Sequence, residues 1–217
     1  QADIATATVA SITDQTFTGS AVTISPTVSF NNASLTEGAD YTTSFTNNTN
    51  AGTASLTLTG TGNFTGTKTV SFTIVKAAPT ISFNDVSKTY GEVDFDLTAT
   101  SSSTGAFSYT ISDANVATVT GSTTTIVGAG TTSVTVTQAA DDNYSSASAT
   151  ITLTVNKAAP TISFADVTKT YGEAAFNLTA TSSSTGAFSY TISDANVATV
   201  TGSTTTIVGA GTTTVTV

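Results

Sequence analysis

An all-β fold of sandwich modules follows from three features of this 217-residue sequence. Apolar and hydroxylated residues alternate strictly along several short segments. Clusters rich in Asn, Gly and Ser separate those segments at roughly the eight-to-twelve-residue spacing of sandwich strands. A long stretch of the chain also recurs: TISDANVATVTGSTTTIVGAG runs from Thr110 to Gly130 and again, without a changed letter, from Thr191 to Gly211.

The alternation is clearest in three places. Leu56 and Leu58 alternate with Ser55, Thr57 and Thr59; Val70, Phe72 and Ile74 with Thr69, Ser71 and Thr73; and Ile151, Leu153 and Val155 with Thr150, Thr152 and Thr154. A period of two sends every apolar side chain to one face of a strand and every hydroxyl to the other. Threonine is β-branched, so it suits the wet face of a pleated backbone. No segment of ten or more residues carries a helical period. In the first part of the chain the pattern predicts strands near 4–12, 21–30, 40–46, 53–59 and 67–75, broken by TFTGS, FNNAS, NNTNAG and GTGNFTG. These breaks supply residues that tolerate positive φ. Further on it predicts strands near 80–83, 95–100, 107–112, 116–120, 123–127, 131–137 and 148–155, with turns at TYGEVD, SSSTGA, SDAN, TGS, GAG and AADDNY.

The repeat sets the domain plan. One copy opens at Lys76 as KAAPTISFNDVSKTYG and the next at Lys157 as KAAPTISFADVTKTYG, 81 positions later, and the match holds to Val217. Only six positions differ: Asn84/Ala165, Ser87/Thr168, Val93/Ala174, Asp94/Ala175, Asp96/Asn177 and Ser133/Thr214. Such a period exceeds the roughly 20–50 residues of a solenoid unit and suits a whole small domain. The expected modules are therefore 1–75, 76–156 and 157–217. The third has no counterpart to Thr137–Asn156, so it is expected to be either a truncation inside a longer array or a module that accepts a donated strand. Pro79 and Pro160 restrict the joints between modules, and sequential modules on stiff joints predict an extended rod.

Composition narrows the function classes. Thr and Ser make up 81 of the 217 residues. The net charge of −9, with five Lys and no Arg, repels phosphate backbones and argues against nucleic acid as a partner. No apolar run is long enough to insert in a membrane, and no signal segment follows Gln1, which fits an excerpt of a longer chain. The chain has no His and no Cys, so Ser–His and Cys–His catalysis, disulfides and the usual general base are absent.

The segment SDANVATVTGSTTTIVGAGTTSVTV (Ser112–Val136) resembles the signature of bacterial immunoglobulin-like domains of the intimin/invasin type. In that signature a serine-led turn leads to V-A-T-V, a short hairpin and G-x-G before an alternating strand. Leu35–Ile74 resembles the mostly-β modules found beside such domains in large bacterial surface proteins. Runs of KAAPTISF…KTYG modules resemble those of giant repetitive adhesins of gliding, Bacteroidetes-like bacteria. The resemblance implies immunoglobulin-like sandwiches, an extracellular or cell-surface location and a stalk role. It brings no catalytic residues.

Several residues are candidates for chemistry. Asp94 and Asp96 flank Phe95, and Asp141 and Asp142 share a loop, so these four are the candidate calcium ligands; calcium is the one cofactor considered. Calcium needs six to eight oxygens, however, and the next copy carries Ala175 and Asn177 in place of Asp94 and Asp96, so solvated loop acids are the alternative. Tyr90, Tyr171 and Tyr144 suit either a sugar platform or, as favoured here, plugs at the ends of sandwiches with bonded hydroxyls. Lys68, inside a strand, is the candidate for a Lys-to-Asn/Asp isopeptide crosslink, whereas Lys88 and Lys169 are expected in K-T-Y-G turns and Lys76 and Lys157 in linkers. A flat Thr array could bind ice, but strands in a small sandwich twist. Asn47, Asn63 and Asn177 head N-x-T/S sequons that matter only in a glycosylating host.

The expectation is a non-enzymatic spacer in a secreted or surface-displayed bacterial adhesin. Its partners are neighbouring modules of the same chain and, through them, surface polysaccharide or other cells. The alternative is a carbohydrate-binding module that contacts polysaccharide directly.

Overall fold

The alternation over Thr67–Val75 sends Val70, Phe72 and Ile74 to one face, and in a computed structural model describing residues 1–217 that face closes a core. Nine strands surround it: β1 (Ala2–Asp3), β2 (Thr8–Val9), β3 (Gln15–Thr16), β4 (Val28–Phe30), β5 (Ala33–Ser34), β6 (Tyr41–Thr46), β7 (Gly52–Gly60), β8 (Phe64–Thr65) and β9 (Thr67–Val75). One sheet runs β3-β9-β7-β6 and the facing one β2-β4-β5, with β1 paired to β8. Ile4, Val28, Leu56, Leu58 and Ile74 are buried between them. The wet face of β7 and β9 is hydroxylated, and Thr57 and Thr69 bond across it at 3.0 Å.

Two predicted strands in this half are shorter than expected, each for a local reason. Within 4–12, Asp3 accepts a hydrogen bond from the Ala5 amide and its carbonyl one from the Thr6 hydroxyl, folding Ile4–Thr6 into a single 3-10 turn and leaving only β2 paired. A short polar side chain competing with the ladder does this. Within 21–30, Pro26 removes a backbone donor, and pairing survives only in β4. The break FNNAS behaves as expected: Asn31 and Asn32 both take positive φ in a two-residue hairpin between Phe30 and Ala33.

The second sandwich is built from β10 (Ile81–Ser82), β11 (Val86–Thr89), β12 (Phe95–Asp96), β13 (Thr100–Ser101), β14 (Phe107–Ile111), β15 (Ala117–Thr120), β16 (Thr123–Ile126), β17 (Gly130–Gln138) and β18 (Ala147–Asn156). One sheet is β11-β18-β17-β14 and the other β12-β16-β15, with β13 pairing β10. This is the immunoglobulin-like plan: in each of the two sheets an early strand lies beside a late one, β11 beside β18 and β12 beside β16. Leu97, Val116, Val134, Ile151, Leu153 and Val155 form its core.

The predicted 95–100 strand splits into β12 and β13, which pair with different partners. β11 corrects a second expectation: Val86–Thr89 pairs parallel to Leu153–Asn156, so Lys88 lies in a strand and not in a turn. Its partner is distant in sequence, and nothing local announces the pairing.

Gln1–Lys157 forms one compact unit and Ala158–Val217 a second. The second unit holds β19 (Ile162–Ser163), β20 (Phe176–Asn177), β21 (Thr181–Ser182), β22 (Thr191–Ile192), β23 (Ala198–Thr201), β24 (Thr204–Ile207) and β25 (Val215–Thr216). They pair as β19-β21, β20-β24-β23 and β22-β25. Its hairpin β23-β24 repeats the register of β15-β16, with Ala198 opposite Ile207 as Ala117 is opposite Ile126.

Candidate functional site

The most elaborated side-chain arrangement in the chain is the loop Ala139–Ser146, between β17 and β18. Asp141 organises it. Its Oδ2 accepts from the Ser103 hydroxyl (2.8 Å), the Thr104 amide (2.9 Å) and the Thr104 hydroxyl (3.0 Å), and its Oδ1 accepts from the amides of Asn143 (2.9 Å) and Tyr144 (2.7 Å). A carboxylate offers about four lone-pair sites, so this one is fully used. The Thr104 amide, then the Ser103 hydroxyl, hold its carboxyl well below the usual carboxylate range.

The loop so shaped presents two residues to the first sandwich. Asn143 uses both its backbone and its side chain. Its carbonyl accepts from the Ala77 amide (3.0 Å), its Oδ1 accepts from the Ala51 amide (2.9 Å) and its Nδ2 donates to Asn50 Oδ1 (3.2 Å). Tyr144 sets its ring against Phe17, with centroids 5.4 Å apart and planes at 81°. The Ser145 amide donates back to the Ala77 carbonyl (2.9 Å), and Lys76 Nζ donates to the Asp141 carbonyl (2.5 Å). The joint Lys76–Pro79 is thus held by the loop as well as restricted by its proline. Neither sequence period nor local motif marks this contact, because its partners lie in a different module.

Gln138, the last residue of β17, holds the Ser101–Gly105 segment that supplies the Ser103 and Thr104 donors to Asp141. It is fully buried. Its Oε1 accepts from the Ser101 hydroxyl, and its Nε2 donates to the carbonyls of Ser103 (3.0 Å) and Gly105 (2.9 Å). The one sequence signal for it is a polar residue at an inward position, following Thr132, Val134 and Val136.

The other sequence candidates are scattered. No three acidic side chains converge anywhere in the chain, so the structure does not bring Asp94, Asp96, Asp141 and Asp142 together as a calcium cage. Asp94 and Asp142 are exposed. Asp96 accepts from the Ser122 (3.3 Å) and Thr123 (2.7 Å) hydroxyls, and Asn177 accepts from the Thr204 hydroxyl (3.0 Å) at the matching place. An amide oxygen serves there as well as a carboxylate, which accounts for the Asp96/Asn177 difference.

The expectation that Tyr90 and Tyr171 plug the sandwich ends is overturned: they are 51% and 66% exposed. The turn closes on its other side. Glu92 accepts from the Thr89 amide (2.7 Å) and pairs with Lys88 (3.3 Å), and Glu173 does the same with Thr170 (3.2 Å) and Lys169 (3.4 Å). Each tyrosine is left on the outside. These amides, with the neighbouring lysines, hold both glutamate carboxyls below their ordinary range. Tyr144 is neither platform nor plug of its own sandwich; it packs on Phe17. Lys68 Nζ donates to the Ala5 carbonyl (3.0 Å), a main-chain partner that forms no isopeptide.

No family model matches the chain, and no curated protein matches it. Among solved structures it is similar to a Drosophila N-cadherin fragment, EC1-3, with a TM-score of 0.31 and 14% identity over 49% of this chain and 43% of that one. It is also similar to the human mucin-like protocadherin fragment EC1-2, with a TM-score of 0.31 and 13% identity over 71% and 100% of the two chains. The N-terminal eight Ig domains of Down Syndrome Cell Adhesion Molecule score 0.30 at 14% identity, over 92% of this chain and 37% of that one. The chain spans under half the length of the first of these. The immunoglobulin-like plan rests on the strand pairing described above. No helix is long and apolar enough to cross a membrane.

Proposed function

We propose that this chain is a run of structural repeats from a secreted or surface-displayed bacterial adhesin, whose modules hold an adhesive region away from the cell. The observation that carries the reading is the Asn143–Tyr144 joint. Two successive sandwiches are fixed to each other by hydrogen bonds and a ring contact, with the Asn143 side chain spent on the joint and the Asp141 carboxylate on shaping the loop that presents it. A ligand site leaves such groups free; a spacer uses them to stay stiff. The near-identity of the two later modules supports the same reading, since a spacer needs length and repetition more than variety.

Small-angle scattering of the whole chain tests this. A rod-like profile that loses stiffness in the Asn143→Ala, Tyr144→Ala double variant is the expected result. A compact profile would overturn the spacer role. A glycan array with the same chain is expected to stay blank, and saturable binding would favour direct polysaccharide recognition instead.

A further inference from the structure

From the joint the chain runs straight into a short strap, in which residues 80–82 lie against residues 100–105. Ala77 is held by Asn143 and Ser145 of the joint loop. Three residues later, the Thr80 amide donates to the Ser102 hydroxyl (3.0 Å) and the Thr80 carbonyl accepts from the Ser102 amide (3.3 Å). β10 then pairs with β13 through two residue pairs, Ile81 with Ser101 and Ser82 with Thr100, against four between β11 and β18. Thr80, Ser82, Thr100 and Ser102 are all exposed. Short ladders with solvent-facing bonds open locally before the fold they belong to.

The far side of the strap holds the loop. Every donor to Asp141 Oδ2 comes from Ser103 or Thr104, whereas Oδ1 is used within the loop itself. Serine hydroxyls fix the shape that presents those donors: Ser101 Oγ accepts from the Ser103 amide (3.1 Å) and Ser103 Oγ from the Gly105 amide (3.1 Å). The second unit repeats these bonds. There the Thr161 amide donates to Ser183 Oγ (2.9 Å), the Ser184 amide to Ser182 Oγ (3.0 Å) and the Gly186 amide to Ser184 Oγ (3.2 Å). The strap is thus shaped by its own residues and imposes that shape on the loop. A closed circuit results: the chain links Ala77 to the strap, hydrogen bonds link the strap to Asp141, and the Asp141 loop returns to Ala77.

We propose that this strap is the lock of the joint. While β10 and β13 are paired, Asp141 keeps Asn143 on Ala51 and Tyr144 on Phe17. When the strap opens, Ser103 and Thr104 leave Asp141 and the loop relaxes. The joint then turns from a rigid coupling into a hinge, with both sandwiches still folded. A pull on residues 76–79 reaches Thr80 before it reaches β11, so tension along the chain opens the strap first. Ser103 and Gln138 are positioning residues: neither makes a hydrogen bond to the first sandwich, and both set the joint through Asp141. The lock goes beyond the spacer reading, since it concerns how the joint yields whatever the chain serves.

The test uses the whole chain, which has no cysteine of its own. Ser82→Cys with Thr100→Cys, directly opposite each other in the register, gives a strap that oxidation staples and reduction frees, because cross-strand partners lie within disulfide reach. Hydrogen exchange at the Ala51 amide, whose acceptor is Asn143 Oδ1, reports the joint. The centres of β7 and β17 report the two sandwiches. The staple should slow Ala51 exchange by about tenfold or more relative to the reduced form, since it removes the local opening through which that amide exchanges. The strand centres should not change. In the parent chain, Ser103→Ala should quicken Ala51 exchange several-fold, and Ser103→Thr, which keeps the hydroxyl, should restore it. Equal Ala51 exchange in the stapled and free forms would overturn the proposal, as would a Ser103→Ala variant that leaves Ala51 untouched. A change shared by the strand centres would make the strap a part of the fold instead of a lock, and would overturn it too.

Discussion

Phe17 and Tyr144 meet edge to face across the boundary between the first two sandwiches, with ring centroids 5.4 Å apart. Edge-to-face pairs contribute about 0.5–1.5 kcal/mol beyond their buried area. A double-mutant cycle of Phe17→Leu and Tyr144→Leu, followed by urea unfolding, should return a coupling in that range. Additive effects of the two changes would show that the rings touch without acting together.

Asn143→Ala removes the acceptor of the Ala51 amide while leaving the backbone bonds to Ala77 in place. Hydrogen exchange at Ala51 should then quicken by tenfold or more while the centres of β7 and β17 stay protected. Uniform acceleration across both sandwiches would mean that Asn143 supports the folds themselves and not only their joint.

Asp141 gives the joint a pH dependence of definite sign. Its carboxyl is depressed in the folded chain by the Thr104 amide and the Ser103 hydroxyl. The unfolded chain has an ordinary aspartate value near about 4. A depressed acid stabilises above its unfolded value, and that contribution falls away as the pH drops from there through the lower folded value. Thermal melts from pH 7 to 2 should show Asp141→Asn losing part of the acid-induced drop seen in the parent chain. Identical slopes below pH 4 would contradict the assignment.

Thr124 and Thr205 occupy matching positions in the two later modules, and both hydroxyl oxygens are buried without a partner. An unsatisfied buried hydroxyl costs about 1–3 kcal/mol. Thr124→Val keeps the shape and removes the group, so it should raise stability by about 1 kcal/mol in denaturant titration. A loss of stability would reveal a hydrogen bond to an ordered water.

Gly128 and Gly209 explain one half of the G-A-G motif. A Cβ at Gly128 would lie 2.6 Å from the Asn115 carbonyl oxygen, and one at Gly209 would lie 2.6 Å from that of Asn196. Backbone cannot withdraw as a side chain can, so Gly128→Ala should cost about 1–3 kcal/mol. Circular-dichroism melting of the two single variants would check it, and an unchanged midpoint would refute it.

The long strands were legible in the sequence because their alternation is a local property. Thr67–Val75, Gly52–Gly60 and Ala147–Asn156 each announce their buried face residue by residue, and Asn31–Asn32 announces its hairpin. What escaped was non-local. The parallel strands β3 and β11 are short, and only their distant partners make them strands. The candidate site was legible in part: Asp141 stood out as a loop acid, but its donors in Ser103 and Thr104 turn it from a cation ligand into a loop organiser. Tyr90 and Tyr171 are not legible as exposed residues, since the turn beside each is closed by a glutamate on the Thr amide and the Lys and makes no use of the ring. Asn143 carried no signal at all, since its side-chain partners Asn50 and Ala51 belong to a module with a different sequence.

The parallel pairing of β11 with β18 bears on what happens when the chain is pulled. The polypeptide enters the second sandwich ahead of Val86 and leaves it beyond Asn156, so tension drags the two strands past each other along their own axes. The rungs from Val86–Leu153 to Thr89–Asn156 are then strained together in shear, and none can unzip before the rest. In the proposed spacer role, a pull along the chain loads these rungs together, and the sandwich yields abruptly at high force instead of fraying under a gentle one.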